Sequence, residues 1–272
     1  MKKKCFGVGL MLTVLLFICT ASSKSGNQPS KSSKTFVLVH GAWQAPFVWN
    51  EVKTRLESRG NKVIVVELPA HGNDTTSPAN VTMQLYVNTV IDAINKTGKK
   101  VILVGHSMGG VVVTAAAEMV PSRIEKLVYI GAFLPANQQS LADLAATDRQ
   151  SHLGPALMPA DGGLLLDIKH DSITGIFCQD GTTAQKQLVL DNFKPEPAIP
   201  FGNAVTITAA NFGSVNKYYI HTLLDNAIGL ELQNRMAAAA RITRQFSLKT
   251  GHCPFITDVD GTVQLLVQIA AD

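Results

Sequence analysis

A serine framed by glycines, with histidines and carboxylates far along the chain, is the arrangement in this sequence best suited to chemistry. Residues 101–110 read VILVGHSMGG, and a small-residue apolar segment follows. That pattern spells strand, sharp turn and helix, with Ser107 at the apex. In such a turn the hydroxyl is pushed out beyond the carboxyl end of the strand. Gly105 and Gly109 are required where side chains would collide with the crossing helix and strand. Ser107 is therefore the candidate nucleophile. A serine hydroxyl attacks poorly at neutral pH until an imidazole takes its proton. Among the seven histidines His252 is the best base, because it lies in a loop, KTGHCP, just past a late strand. An imidazole in that role needs a carboxylate to fix its tautomer, and Asp225 lies just past the preceding strand. The 27 residues between Asp225 and His252 suit one helix and one strand. Asp258 and Asp260 come after the histidine and read as acids at a helix N-terminus. Charge that builds on a carbonyl oxygen needs fixed N–H donors. Met108, at a helix start, and Ala42, in the loop after the first strand, are the candidates.

These residues must be positioned by a regular frame, and the apolar pattern supplies one. Residues 35–41, 62–68, 99–105 and 126–133 are continuous apolar runs of the kind found in strands covered on both faces. Between them lie helical periods over residues 46–60, closed by Gly60, and 81–96. A third helix follows the serine, and Pro121 stops it. Alternating strands and helices predict a parallel sheet with helices on both faces, whose ligands bind beyond the strand carboxyl ends. His40, Ser107 and Phe133 all fall there. From residue 134 to about 215 the rhythm breaks. Six of the twelve prolines lie in this stretch, with only short periodic pieces at 140–150, 184–193 and 203–212. So long a departure predicts a cap inserted over the sheet. The rhythm returns with a strand at 217–222, a helix at 229–240, a strand at 242–249 and a closing helix at 258–270.

Ahead of this domain, residues 1–21 carry three lysines, an apolar run and then small residues. They read as a secretory signal cleaved after Ala21, which predicts a secreted or periplasmic protein with no stable membrane insertion. Residues 22–34 are rich in Ser and Lys and read as a flexible tether, so the folded domain spans 35–272. Three of the 24 Lys and Arg leave with the leader and none of the 20 Asp and Glu, so the mature chain is close to neutral at +1. With no basic block in the folded region, nucleic acid is not an expected partner. Cys178 and Cys253 remain after cleavage, and two cysteines alone do not make a disulfide framework. Asp167, His170 and Asp171 are the one cluster that resembles a metal site, but cap polar residues group this way without one, and no metal is expected. His40 and His106 read as shaping the loop and turn, His71 as a loop residue, and Cys253 as a small buried filler.

The segments FVLVHGAW, LPAHG, LVGHSMGG, YIGAFLP, YYIHTLLDNAI and the late Gly251-His252 resemble, in order, the α/β-hydrolase superfamily. More narrowly the chain is similar to the branch that holds plant methyl-ester esterases, hydroxynitrile lyases and bacterial relatives. The resemblance implies a six-stranded, mostly parallel core, a cap after the fourth strand, no cofactor, and Ser107, Asp225 and His252 as the triad. In that branch the lyases carry threonine after the first-strand histidine and lysine after the catalytic one. This chain has Gly41 and Cys253 there, which favours an esterase. Gly41, Trp43 and Phe133 are the expected substrate contacts. A cap with many apolar residues and no clustered Arg or Lys predicts a small, fairly apolar ester. An acyltransferase would use the same residues, a cyanohydrin lyase or a non-catalytic receptor the same fold, and these remain the alternatives.

Overall fold

The computed structural model describes residues 1–7, 9 and 33–272. Most of the leader expected at 1–21 and of the tether expected at 22–34 therefore lies outside the described residues. Residues 1–7 and 9 carry no regular secondary structure. Among the described residues no helix is long and apolar enough to cross a membrane.

The domain is built on six parallel strands: β1 (Thr35–Val39), β2 (Lys62–Val66), β3 (Val101–Ser107), β4 (Ile124–Ala132) and, after the cap, two more. The cap contributes β5 (Leu157–Ala160), β6 (Leu165–Ile168) and β7 (Glu196–Pro197), so the last two core strands are β8 (Lys217–Thr222) and β9 (Arg244–Leu248). The core order is β2-β1-β3-β4-β8-β9, and every neighbouring pair is parallel. All residues of β1 and β3 are buried, which is why these strands read as unbroken apolar runs. The edge strands β2 and β9 are only partly buried, with Lys62, Arg244, Gln245 and Ser247 exposed.

Helices cover both faces in two packed groups. α1 (Asn50–Glu57) meets the C-terminal helix, while α2 (Met83–Lys96) meets α3 (Gly109–Met119). α2 starts at Thr82, whose hydroxyl accepts from the Leu85 N–H, a side-chain cap that costs about 1 kcal/mol to remove. The first helical stretch differs from expectation. Residues Pro46–Trp49 form a 3-10 turn before α1, where proline takes a position whose N–H is not needed.

The cap runs from the end of β4 to β8. It holds α4 (Leu141–Ala145), α5 (Leu153–Ala156), α6 (Ile173–Phe177), α7 (Thr183–Asp191) and α8 (Ile199–Gly202). Its three strands form a small antiparallel sheet ordered β5-β6-β7, which the periodicity did not indicate. Pro159 within β5 argues against a strand, yet β5 is an edge, where a missing N–H costs no ladder bond. The turn between β5 and β6 is Asp161-Gly162-Gly163, all three at positive φ. Residues 203–212, which read as periodic, form no α-helix and contribute an isolated bridge, Gln139 to Val205, before a 3-10 turn at Phe212–Ser214. Three helices complete the chain: α9 (Leu230–Ala239), the short α10 (Pro254–Thr257) and α11 (Val259–Ala271).

Candidate active site

β3 carries straight through Ser107, two residues past the expected strand end, and its register against β4 shifts between His106 and Ser107. Ser107 has φ 53°, a left-handed conformation that costs roughly 1–3 kcal/mol in a non-glycine residue. The neighbouring glycines make the turn possible. A Cβ on Gly105 would lie 2.6 Å from Val113 Cγ2, and one on Gly109 would lie 2.6 Å from the His40 carbonyl oxygen. The strain is thus held by close packing of β1, β3 and α3 and leaves Ser107 lining a cavity of about 480 Å³.

His252 lies beyond β9, and its Nδ1 donates to Asp225, 3.0 Å from Oδ1 and 2.9 Å from Oδ2. Both side chains are buried. Removing a carboxylate from water is expensive, and here hydrogen bonds repay it. The Ala227 and Ile228 N–H groups each donate to Oδ1 at 2.8 Å, and the Thr222 hydroxyl donates to Oδ2 at 2.7 Å. Gln233 from α9 holds Thr222 in turn, donating to its carbonyl at 3.2 Å. With its proton on Nδ1, His252 presents Nε2 as a buried acceptor that has no protein partner among the described residues. No hydrogen bond joins Ser107 Oγ to it here, and such contacts tighten when substrate binds.

The two expected oxyanion donors also meet here. Ala42 and Met108 both line the Ser107 cavity. Among the described residues neither N–H donates to a protein acceptor. Trp43 and Phe133 line the same cavity, together with Leu153, Leu166, Phe177 and Phe201. Gly41 does not. A Cβ there would sit 2.6 Å from Ser107 Cβ, so its role is to let the loop lie against the nucleophile rather than to touch substrate. Of the polar residues on the cavity wall besides Ser107, Asp148 is occupied by the Gly229 and Gln150 N–H groups and Ser151 by the Ala227 carbonyl, while Arg149 is exposed.

Three further histidines, His106, His40 and His71, are held by structural partners. His106 Nε2 donates to the His252 carbonyl at 2.8 Å, and burial holds its pKa well below the usual value. His40 Nδ1 donates to the Gly41 carbonyl at 2.9 Å while Nε2 accepts from the Leu68 N–H at 3.3 Å. Burial, then the neighbouring His71, pulls His40 down to about 3. His71 is in a loop as expected, but it is buried. Its Nε2 donates to Glu196 Oε2 at 2.7 Å. Burial opposes its charge, and the Glu196 carboxylate outweighs that and raises its pKa.

These shifts predict how stability follows pH. A base whose folded pKa lies below its unfolded value favours folding above about 6.5, and that advantage is lost as the pH falls. His40 and His106 both act in this sense, so together they should cost about 3 kcal/mol per pH unit between about pH 6 and 4. His71 works oppositely: its contribution is complete below about 6.5 and is lost as the pH climbs through its raised value. Urea midpoints measured from pH 7 to 4 should fall steeply, and His40→Gln should flatten the fall by about one proton. An unchanged slope in that variant would contradict the buried neutral assignment.

Cys178 and Cys253 are both buried free thiols. Burial pushes Cys178 up to about 11 and Cys253 well above its usual value, so neither is a thiolate at neutral pH. Gln44 Nε2 donates to Cys253 Sγ at 3.0 Å. His170 and Asp171, which read as a weak metal cluster, are exposed. Among the described residues no group of three His, Cys, Asp or Glu is placed to hold a metal.

Three cap residues matter here that sequence reasoning missed. Asp180 Oδ2 accepts from the Gly251 N–H at 2.7 Å, beside His252, and Gln179 donates to the Leu224 carbonyl, beside Asp225. Glu196 accepts from the Trp43 N–H at 2.9 Å and from the Tyr86 hydroxyl at 3.0 Å, as well as from His71. No local pattern marks either carboxylate, since each acts on residues far away in the chain.

Residues 36–265 match the alpha/beta hydrolase family. The chain belongs to that family. Among similar proteins, "Putative methylesterase 11, chloroplastic" from Arabidopsis thaliana is 30% identical over 247 residues, which are 86% of this chain and 63% of the relative. The chain spans 56–63% of the length of the first three curated relatives it matches. A solved extracellular alpha/beta-hydrolase from a Paenibacillus species is 27% identical, with a TM-score of 0.77 over 86% of this hydrolase chain and 98% of the other. It is described as sharing structural and functional homology with tobacco salicylic acid binding protein 2. Polyneuridine aldehyde esterase, 22% identical with a TM-score of 0.75 over 88% and 99% of the two chains, shares the fold.

Proposed function

We propose that this chain is a serine carboxylesterase acting on small, fairly apolar esters. The observation that carries the reading is the strained Ser107 at the cavity wall, with the Asp225-oriented His252 leaving Nε2 free. Similarity to proteins named as methylesterases supports it, as does the Paenibacillus likeness. Ser107 Oγ attacks the ester carbonyl carbon while His252 Nε2 takes the hydroxyl proton. The carbonyl oxygen becomes an oxyanion held by the Ala42 and Met108 N–H groups. As the carbon–oxygen ester bond breaks, His252 returns the proton to the departing alkoxide, which leaves as the alcohol. Water then adds to the acyl-enzyme, giving its proton to His252, and the acid departs as Ser107 recovers its hydrogen. Trp43, Phe133, Leu153 and Phe177 supply the apolar wall for the acyl or alcohol group.

We further propose that the enzyme works outside the cytoplasm. Three lysines, an apolar run and the small residues before Ser22 support a cleaved leader, and the Paenibacillus relative is described as extracellular. Secreted protein should then begin at Ser22 by N-terminal sequencing, with no membrane-bound fraction. The enzymatic test is hydrolysis of p-nitrophenyl acetate and butyrate, followed by methanol release from methyl esters of aromatic and aliphatic acids. An inert chain that still binds apolar molecules tightly would replace the esterase with a receptor.

A further inference from the structure

We propose that Glu196, from the cap, is a positioning residue that aims the Ala42 N–H at the oxyanion; the inference rests on the esterase reading above. Two peptide planes flank the Ala42 Cα, and both are pinned from behind. The plane that carries the Ala42 N–H also carries the Gly41 carbonyl, which accepts from His40 Nδ1 at 2.9 Å. In a trans peptide these two groups point in opposite directions, so anchoring the carbonyl fixes where the N–H points. The next plane carries the Trp43 N–H, which donates to Glu196 Oε2 at 2.9 Å.

Trp43 has φ 59°, a backbone state that a tryptophan does not hold unaided. Two cap contacts hold it there: the Glu196 carboxylate on the main chain, and the Leu166 carbonyl accepting from the indole N–H at 2.8 Å. Glu196 is fully buried and is held in its turn by His71 Nε2 at 2.7 Å and the Tyr86 hydroxyl at 3.0 Å. The His71 ring lies 4.8 Å from that of His40, centroid to centroid, so both anchors belong to one packed unit. A buried carboxylate satisfied on every side is a rigid post. Its function is to deny the oxyanion loop its relaxed conformation.

Misaiming one donor affects the transition state more than the bound ester, so the split between kcat and KM reads the role. Glu196→Ala should lower kcat for p-nitrophenyl butyrate about 100-fold with KM within about threefold. Its affinity for an alkyl trifluoromethyl ketone, which forms a tetrahedral adduct on Ser107, should fall by the same factor, while affinity for butyrate stays unchanged. Glu196→Gln keeps an oxygen for the Trp43 N–H and should recover about tenfold of the loss. Tyr129→Phe removes a buried tyrosine hydroxyl that bonds Thr114 and not Glu196, and should stay within about twofold of wild type in both kcat and ketone affinity. If Glu196→Ala fails to fold, Glu196→Gln and Tyr129→Phe carry the comparison.

Equal losses of ketone and butyrate affinity, or a loss in Tyr129→Phe as large as in Glu196→Gln, would reduce Glu196 to packing and overturn the proposal. So would Glu196 variants as active as wild type. A wild-type chain inert toward every ester is a different failure: it removes the esterase reading, and this inference falls with it.

Discussion

Ser107→Ala should lower ester hydrolysis by about four orders of magnitude or more and leave the fold unchanged. The residual rate would come from the oxyanion donors and substrate binding alone, since no other group at the cavity wall replaces the hydroxyl. The cavity bears no thiolate, and His40 and His106 are committed to backbone partners and held neutral by burial. The substitution removes only an oxygen and suits any backbone that accepts serine, apart from the positive φ that both residues resist equally. Binding of butyrate should survive, and a phosphonate ester that stoichiometrically silences the wild type should leave the variant unlabelled by mass. Activity above about one per cent of wild type, free of contaminating hydrolase, would exclude Ser107 as the nucleophile.

Asp225→Asn is expected to cost nearly as much, about 10⁴-fold in kcat, for a different reason. The Ala227 and Ile228 N–H groups both point at Oδ1, so the amide oxygen of the variant settles there. Its NH₂ then occupies the Oδ2 place, facing His252 Nδ1. A donor in that position turns the imidazole to its other tautomer, with the proton on Nε2, and a protonated Nε2 cannot take the serine hydrogen. The thermal midpoint should move far less than the rate, because two of the three backbone and side-chain hydrogen bonds to the carboxylate survive. A loss below tenfold would point to another carboxylate as the orienter.

Much of this arrangement was legible in the sequence because each part obeys a local rule. The buried strands announce themselves as runs such as VILV, and the elbow by its glycines. Asp225 and His252 follow from their places just past β8 and β9 in a parallel sheet. What stayed hidden depends on partners distant in the chain. Glu196 lies 153 residues from Trp43, in a two-residue strand between prolines, and nothing within ten residues of it signals burial. Asp180 lies 71 residues from Gly251. The cap sheet was missed because its strands are four residues or fewer, two of them contain a proline, and the two longer ones are only partly buried. His71 read as an ordinary loop residue since its loop is polar, and only the packed fold shows the carboxylate it faces.

The stitches from Gln179, Asp180 and Glu196 into three separate core loops bear on how this scaffold can be recombined. A cap that merely roofs a pocket is an interchangeable module, and swapping it between relatives transfers substrate range. Here the roof also fastens the floor: its side chains hold the loops of His252, Asp225 and Ala42. A chimaera that imports a foreign cap without these three donors and acceptors would inherit a new pocket over slackened machinery. Residues 179, 180 and 196 must therefore travel with the core, and diversification is channelled into other cap positions on the cavity wall, such as Leu153, Leu157 and Phe201.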